Sequence, residues 1–313
     1  MYDDLAAYYH LIFENWDASI ERQAGVLGPL IEAACGRNPA RILDAACGIG
    51  TQAIGLAMRG HAVTGSDLSE AAVARARSEA AVRNLTIPFH SADLRDLSAV
   101  PSGPFDAVLI ADNALAHLPS EDDVRQAAAS AARQLDRGGI LLATIRDYDV
   151  LARERPSVHG PAFYVDDGRR RIVHQVWDWT GPRHHTMHLY ITRETAAGWE
   201  SLHFTSAFHA VPRAMVTGAL AGLRGYLIQI LLHVRKQQRL YLGLIQIGLS
   251  DYCGAKVDHL RRIGSVQLIH QRLDRFIAHA ERVLRDQRVD GAVLQILHQV
   301  VARIEGHQLD LAC

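Results

Sequence analysis

Apolar residues along this chain follow two patterns of spacing, and the pattern changes near residue 150. Before that point, short apolar runs alternate with segments whose apolar residues recur at steps of three and four, which is typical of strands joined by helices. The predicted strands are 41–46, 61–66, 86–90, 105–111 and 139–145. The predicted helices between them are 51–59, 69–83 and 120–135. Single helices between strands indicate right-handed crossovers and a parallel α/β sheet of the Rossmann-like kind.

Segments on either side of this alternation predict a helical cover and an antiparallel insert. Residues 3–36 have helical spacing, with Asp17 as the expected cap, Pro29 as an expected kink and Gly36 as the expected stop. After Asp149, polar and apolar residues alternate one by one, which predicts consecutive antiparallel strands with short turns. The expected strands are 170–179, 185–193 and 199–210.

Proline usage divides the chain a second time. All ten prolines lie at or before Pro212, whereas both lysines lie after it. We therefore predict one domain at 1–225, with its antiparallel insert at about 163–210, followed by a helical C-terminal extension at 226–313. Two alternatives are open for the extension. It docks on the sheet or on another copy in a homo-oligomer, or it replaces the usual sheet ending and leaves an edge unpaired.

Composition narrows the class of protein without naming one. The formal net charge is −1, so the chain has no general attraction to nucleic acid or to an anionic membrane. The four cysteines have neither zinc-site nor disulfide-framework spacing, and a cytoplasmic location is the simplest expectation. No apolar stretch reaches the ~18 residues of a membrane span. We expect no metal, since His184 and His188 have no third ligand at suitable spacing.

A glycine turn after the first predicted strand carries the main chemical signal. In the segment 42–51, Gly48 and Gly50 allow a sharp turn and close approach of the backbone to a ligand. The same spacing fits a loose dinucleotide motif, and Asp67 lies where a ribose-binding acid is expected. Asp44 argues against NAD, because a carboxylate there would repel the pyrophosphate. The same carboxylate suits a ligand that presents an ammonium.

A second acidic position supports this choice of ligand. Asp93 follows the third predicted strand and can accept a hydrogen bond from an exocyclic amine, while Leu94 can cover an adenine ring. Four elements occur in order along the chain: Asp44 with the glycine turn, Asp67, Asp93 and the strand 105–111. In this order they resemble the class I methyltransferases that use S-adenosylmethionine (SAM). The resemblance implies SAM as cofactor. The residues that it places around SAM are Tyr9, Asp44, Ala46, Cys47, Gly48, Gly50, Asp67, Leu68, Asp93, Leu94, Ala111 and His117.

Two motifs at later strand ends indicate the methyl acceptor. The segments 113–118, Asn-Ala-Leu-Ala-His-Leu, and 146–149, Arg-Asp-Tyr-Asp, resemble motifs of the glycine and sarcosine N-methyltransferases over roughly residues 2–215. Methyl transfer depends mainly on aligning the acceptor lone pair behind the methyl carbon. A planar guanidinium can hold a carboxylate bidentately, so we expect Arg146 to anchor a small amino acid, with Asn113 and Tyr148 as neutral partners.

Several alternatives are open from sequence alone. Arg146 can instead pair with a neighbouring acid on the surface, and Trp177 and Trp179 can be simple core residues. The family often has glycine where this chain has Asp112, and an acid there would attract an ammonium or repel a carboxylate. The other functions to be weighed are methyl transfer to another small molecule, at oxygen or nitrogen, and a SAM-binding protein without catalytic activity.

Overall fold

The computed structural model describes residues 1–101, 103–221, 227–236 and 239–247. The strands, in chain order, are β1 (Arg41–Asp44), β2 (Ala62–Asp67), β3 (Phe89–Ser91), β4 (Phe105–Ile110), β5 (Leu135–Arg146), β6 (Val158–Asp166), β7 (Arg169–Trp179), β8 (His184–Thr195), β9 (Gly198–His209), β10 (Leu227–Lys236) and β11 (Arg239–Ile247). The helices are α1 (Tyr2–Leu5), α2 (Trp16–Cys35), α3 (Thr51–Met58), α4 (Glu70–Val82), α5 (Glu121–Arg133), α6 (Tyr148–Glu154) and α7 (Arg213–Ala221), with short 3-10 helices at Tyr9–Ile12 and Ala114–His117. Within these residues, no helix has the length and apolarity that crossing a bilayer requires.

Two sheets organise these elements. The larger has the strand order β11-β10-β5-β4-β1-β2-β3 and is parallel except for β11, which runs antiparallel to β10. The smaller has the order β6-β7-β8-β9 and is antiparallel throughout. The predicted parallel sheet and antiparallel insert are therefore confirmed. The insert begins earlier than expected, because Gly160 and Pro161 interrupt the alternation of β6 and hide that strand in the sequence.

The central strands are buried on both faces, which explains their continuous apolar runs. Ile42 and Leu43 are neighbours in β1 and are both fully buried, yet they pack into different hydrophobic clusters. The cluster of Ile42 includes side chains from α2, α3 and α4, and the cluster of Leu43 includes side chains from α5 and α7. Helices thus cover both faces, and the sheet edge formed by the strands' carboxyl ends remains for chemistry.

The expectation of a helical chain from residue 226 is wrong over the part that the structure describes. Residues 227–236 form β10, which pairs in parallel with β5, and residues 239–247 form β11, which pairs with β10. The sheet therefore does not end at β5 as an unpaired edge. The apolar run at the start of β10 fits a strand buried in a sheet as well as a buried helix, and the short connection contains neither glycine nor proline. The amphipathic repeats predicted after residue 268 lie outside the described residues.

The N-terminal cover differs from one continuous helix. It consists of α1, a 3-10 turn and α2, and the cap of α2 is Asn15, whose side chain accepts from the Ala18 N–H at 2.9 Å, rather than Asp17. Pro29 lies inside α2, and Gly36 ends it in the left-handed conformation, as predicted. The break between the 3-10 turn and α2 brings the Leu11 and Phe13 carbonyls toward the insert.

Arg171 joins the cover to the insert. This residue of β7 is 3% exposed, and its guanidinium donates to the Leu11 and Phe13 carbonyls. It also makes two hydrogen bonds to the Asp166 carboxylate, at 2.6 and 2.9 Å. A buried guanidinium whose donors are satisfied in this way fixes the position of the segments it contacts.

Replacement of Arg171 by methionine is expected to lower the free energy of unfolding by about 2–4 kcal/mol, because the half-buried Leu11 and Phe13 carbonyls and the Asp166 carboxylate lose their donor. The matched control is Arg170→Met. Arg170 pairs with Glu194 on the exposed face, so its loss should change stability by less than about 1 kcal/mol. Urea denaturation compares the two variants, and limited proteolysis should cleave within the first 15 residues faster in Arg171→Met only. Equal stability of both variants would show that Arg171 does not hold the cover.

Candidate functional site

The carboxyl ends of the parallel strands bring the predicted site residues together. Asp44 ends β1 and Asp67 ends β2, and these strands pair with each other. Asn113 lies just after β4, which pairs with β1 on the other side, and Arg146 ends β5 next to β4. Because the strands run in parallel, all four residues lie at one edge of the sheet, where open α/β sheets bind ligands.

The glycine turn after β1 has the conformation that its sequence requires. Gly48 has φ +53° and Gly50 has φ +93°, values that side chains with a Cβ rarely adopt. A Cβ on Gly48 would meet no atom within 4 Å, so open space lies beside this turn. The Gly48 N–H donates to Asp67 at 2.8 Å and thereby ties the turn to the end of β2. Cys47 has its side chain in the hydrophobic core, whereas Ala46 is half-buried at the tip of the turn.

Asp44 is a buried carboxylate without a partner. It is 0% exposed, and neither side-chain oxygen makes a hydrogen bond. Burial, followed by the nearby charges of Asp112 and Asp67, raises the pKa of this carboxyl to about 8, although the nearby Ala53 backbone N–H opposes the shift. An unpaired buried acid costs stability, so the position fits a cationic ligand group that would share and neutralise its charge.

The charge around Asp44 is negative. Asp67 accepts from the backbone N–H groups of Gly48 and Ser69, and burial raises its pKa. Asp112 follows β4 with φ +50°, and its carboxylate accepts from the Gln52 amide at 2.8 Å. This group of carboxylates favours a positively charged ligand and disfavours a pyrophosphate, in agreement with the argument against NAD.

The remaining residues predicted to bind the cofactor lie after β3 and after β2. Leu68 is 70% exposed beside Asp67, so its apolar side chain is open to a ligand. Leu94, in contrast, is 9% exposed and packs in the core, so its side chain does not offer an open face. Asp93 is bound by Arg95, whose guanidinium lies 2.6 Å from it and keeps the pKa of the carboxyl below its usual range. An incoming amine would therefore compete with Arg95 or displace it.

Asn113, Tyr148 and Arg146 form a second group next to the first. The Asn113 amide donates to the Tyr148 hydroxyl at 2.8 Å, and its oxygen accepts from the Arg146 backbone N–H at 3.2 Å. The Arg146 guanidinium lies 5.1 Å from the Trp177 ring and has no ion pair within the described part of the chain. Asp147 caps α6 and Asp149 pairs with Arg213, so neither neighbour serves Arg146. The surface pair that the sequence left open, between Arg146 and a neighbouring acid, is therefore not formed in the described residues.

Aromatic residues from the N-terminal cover close this region. The Tyr2 hydroxyl lies 2.6 Å from His117 Nε2, and the two rings meet edge to face. Burial, with smaller contributions from Arg146 and His185, lowers the pKa of His117 to about 4, so its imidazole is neutral at pH 7. Tyr9 packs beside Tyr2, and burial raises the pKa of its hydroxyl. The Ala111 side chain is buried in the core, so Ala111 can reach a ligand only through its backbone.

The insert contributes a group that sequence reasoning missed. Trp177 of β7, His185 of β8 and Phe208 of β9 pack together, with ring centroids of His185 and Trp177 4.3 Å apart and those of His185 and Phe208 5.3 Å apart. We call these three residues the aromatic roof. A signal was available, because His185 occupies one of the alternating inward positions of β8 that are otherwise apolar. Trp177 is 1% exposed, as expected of a core residue, yet the Arg146 guanidinium also lies over its ring.

The described residues contain no group of three or more side chains suited to hold a metal ion. His188 instead contacts His203 at 2.9 Å and pairs with Asp178 at 3.1 Å, while His184 stacks on His209.

Comparison with known proteins agrees with this geometry. The family model described as a methyltransferase domain matches residues 42–139, from β1 into β5. Over these residues the chain is similar to methyltransferase domains, in agreement with the resemblance that its motifs show.

Two curated relatives illustrate what is shared. The glycine/sarcosine N-methyltransferase of Parasynechococcus marenigrum (strain WH8102) is 34% identical over 137 residues, which cover 44% of this chain and 48% of that protein. A relative from Bacillus subtilis (strain 168), YqeM, has a name that gives methyltransferase and no acceptor. It is 33% identical over 157 residues, which cover 50% of this chain and 57% of that protein. The chain spans 47% to 64% of the length of these and other curated relatives.

A solved structure shows the same fold. SAM-bound CalS10, an amino pentose methyltransferase from Micromonospora echinaspora, superimposes with a TM-score of 0.57 at 23% identity, covering 73% of this chain and 91% of that one. At this identity the match concerns the fold alone.

Asp44→Asn is expected to stabilise the ligand-free protein. The folded pKa of about 8 lies above the ordinary value of 3.8, so the folded state binds more protons than the unfolded state between these values. The contribution of Asp44 is therefore favourable at low pH and is lost as the pH rises toward 8. The neutral amide removes this dependence, and at pH 8 the melting temperature should rise by an amount equivalent to about 1–3 kcal/mol. Calorimetry at pH 5 and pH 8 tests this, and a variant less stable at pH 8 would contradict it.

Proposed function

We propose that the protein transfers a methyl group from SAM to the amine nitrogen of a small amino acid of the glycine or sarcosine type. The observation that carries the proposal is that two ionisable groups without a charge partner lie at the same edge of the sheet. Asp44 is a buried acid without a partner, and Arg146 is a guanidinium without an ion pair among the described residues. SAM supplies a cation for the first, and an amino-acid carboxylate supplies an anion for the second.

The cofactor half of the proposal rests on complementarity with the ends of β1, β2 and β3. SAM presents an ammonium and a sulfonium, and both suit the negative charge around Asp44. Asp67 retains lone pairs on both oxygens after accepting from Gly48 and Ser69, so it can accept from ribose hydroxyls. Exposed Leu68 would pack on the adenine ring, and Asp93 would accept from the exocyclic amine once Arg95 moves aside.

The acceptor half rests on Arg146 and its neutral neighbours. Attack on the methyl carbon requires a free amine lone pair, and the neutral side chains of Asn113, His117 and Tyr148 do not add a charge that would hold the amine protonated. The planar fork of Arg146 would fix the acceptor carboxylate and leave the nitrogen facing the methyl donor. Burial of this region by the N-terminal cover and the aromatic roof favours a small acceptor.

Arg146→Lys tests the assignment of the acceptor. Lysine keeps the charge and loses the bidentate geometry, so KM for glycine or sarcosine should rise about 10- to 100-fold, with a much smaller change in KM for SAM. Arg153→Lys is the matched control, since Arg153 is exposed on α6 and should leave both constants unchanged. The assay measures S-adenosylhomocysteine release from a panel of amino acids, their amides and simple amines.

Three results separate the alternatives. Equal turnover of glycine and of amines without a carboxylate would remove the proposed role of Arg146 and favour another small-molecule acceptor. SAM binding without turnover of any acceptor would favour a catalytically inactive SAM-binding protein. A selective rise in amino-acid KM in Arg146→Lys supports the proposal.

A further inference from the structure

His185 shares an unusual property with Asp44. Among the residues that the structure describes, these two are the side chains whose two polar atoms are both buried and both without a hydrogen-bond partner. His185 is 2% exposed, so water does not satisfy its nitrogens from the surface. Leaving a buried polar atom without a partner costs about 1–3 kcal/mol, and such atoms in native proteins call for an explanation such as a ligand.

The imidazole ring of His185 is held in one orientation. One contact is a stacked arrangement on Trp177, with ring centroids 4.3 Å apart and planes inclined by 20°. Another is with Phe208 at 5.3 Å and 15°, and Trp179 lies 4.7 Å away. A ring fixed by this packing cannot turn its nitrogens toward distant partners, so its hydrogen-bonding edge is preorganised.

The location of His185 connects it with the acceptor group rather than with the cofactor. Its ring centroid lies 6.4 Å from that of Tyr148, whose hydroxyl accepts from Asn113. Trp177, on which His185 stacks, is also the ring that carries the Arg146 guanidinium. Burial lowers the pKa of His185 to about 4, and the charge of Arg146 acts in the same direction, so the ring is neutral at pH 7. A neutral imidazole has one N–H donor and one acceptor nitrogen.

We propose that His185 is an acceptor-binding residue that donates a hydrogen bond from its ring N–H to the acceptor carboxylate, beside Arg146. This inference rests on the proposed function, since it assumes that the acceptor carries a carboxylate. The carboxylate supplies the partner that the ring N–H lacks, and the aromatic roof holds the donor in place. His185 thereby adds selection for carboxylate-bearing acceptors to the charge that Arg146 provides.

The test compares His185→Phe with His184→Phe. Phenylalanine keeps the stacking and removes both ring nitrogens, so the fold should be retained. His184, the neighbouring residue on β8, is exposed and stacks on His209, so its replacement controls for a change in the insert. We expect KM for glycine to rise about tenfold in His185→Phe, with the Kd for SAM and all constants of His184→Phe unchanged. His185→Gln, which restores an N–H donor, should recover part of the loss.

A matched substrate isolates the carboxylate. Glycinamide has the same amine without the carboxylate, so its KM should be nearly equal in the wild type and in His185→Phe. An equal KM for glycine in these two proteins would overturn the inference, as would an equal loss for glycine and glycinamide.

A binding measurement keeps this inference separate from the proposed function. The protein is labelled with ¹⁵N-histidine and saturated with S-adenosylhomocysteine. The ring-nitrogen signals of His185 are assigned by their absence in His185→Phe, and acetate should shift them. If the wild type methylates no amino acid but acetate shifts these signals, the proposed function fails and the carboxylate contact of His185 stands. If these signals do not move at the highest acetate concentration used, the contact is contradicted, whether or not glycine is a substrate.

Discussion

Parallel pairing of β1 with β2 and β4 forces charged residues together at one edge of the sheet, and the rest of the site depends on this constraint. Asp44 cannot leave this edge, because β1 is an interior strand that pairs with β4 on one side and β2 on the other, and its residues Ile42 and Leu43 are buried. Its carboxylate is consequently removed from water without receiving a hydrogen-bond partner. A protein that keeps such a group sacrifices stability for a preformed binding position, which is common at functional sites.

The N-terminal cover and the insert enclose the region around Arg146 and Tyr148. Arg171 ties the N-terminal segment to the insert, and the insert places the aromatic roof beside Arg146 and Tyr148. Both pieces exclude water from a region that contains a guanidinium and neutral hydrogen-bonding groups. Electrostatic interactions there are stronger than at a surface, so a small charged acceptor can be oriented by few contacts.

Much of the sheet and its cofactor edge could be predicted from sequence, because the signals are local. Apolar runs between helical segments predicted the parallel strands, and Ser69 and Ser120 cap α4 and α5 where the pattern placed those helix starts. The glycine turn and the acids that end β1 and β2 follow directly from strand order. Asn113 and Arg146 were predicted from motifs, and the structure shows that their strands are neighbours.

Features that depend on distant segments were not predictable. β10 has an apolar run that fits either a helix or a strand, and only pairing with β5 decides between them. Asn15 caps α2 instead of the expected Asp17, because the start of α2 depends on where the 3-10 turn ends. The burial of Leu94 and the capture of Asp93 by Arg95 are set by packing around β3. The alternation of β8 indicates that His185 points inward, but the residues that it contacts could not be predicted, because they come from β7 and β9.

We propose that the cationic end of SAM pairs with the Asp44 carboxylate, which has no hydrogen-bond partner in the ligand-free protein. Titration calorimetry of SAM at pH 7, in buffers with different ionisation enthalpies, tests it most directly. Because the ligand-free pKa of Asp44 is about 8, the carboxyl is largely protonated at pH 7 and must ionise when it meets a cation. We expect release of about one proton per SAM bound, and loss of that release in Asp44→Asn. Binding of SAM without proton release, or binding of NAD with the affinity expected for SAM, would contradict it.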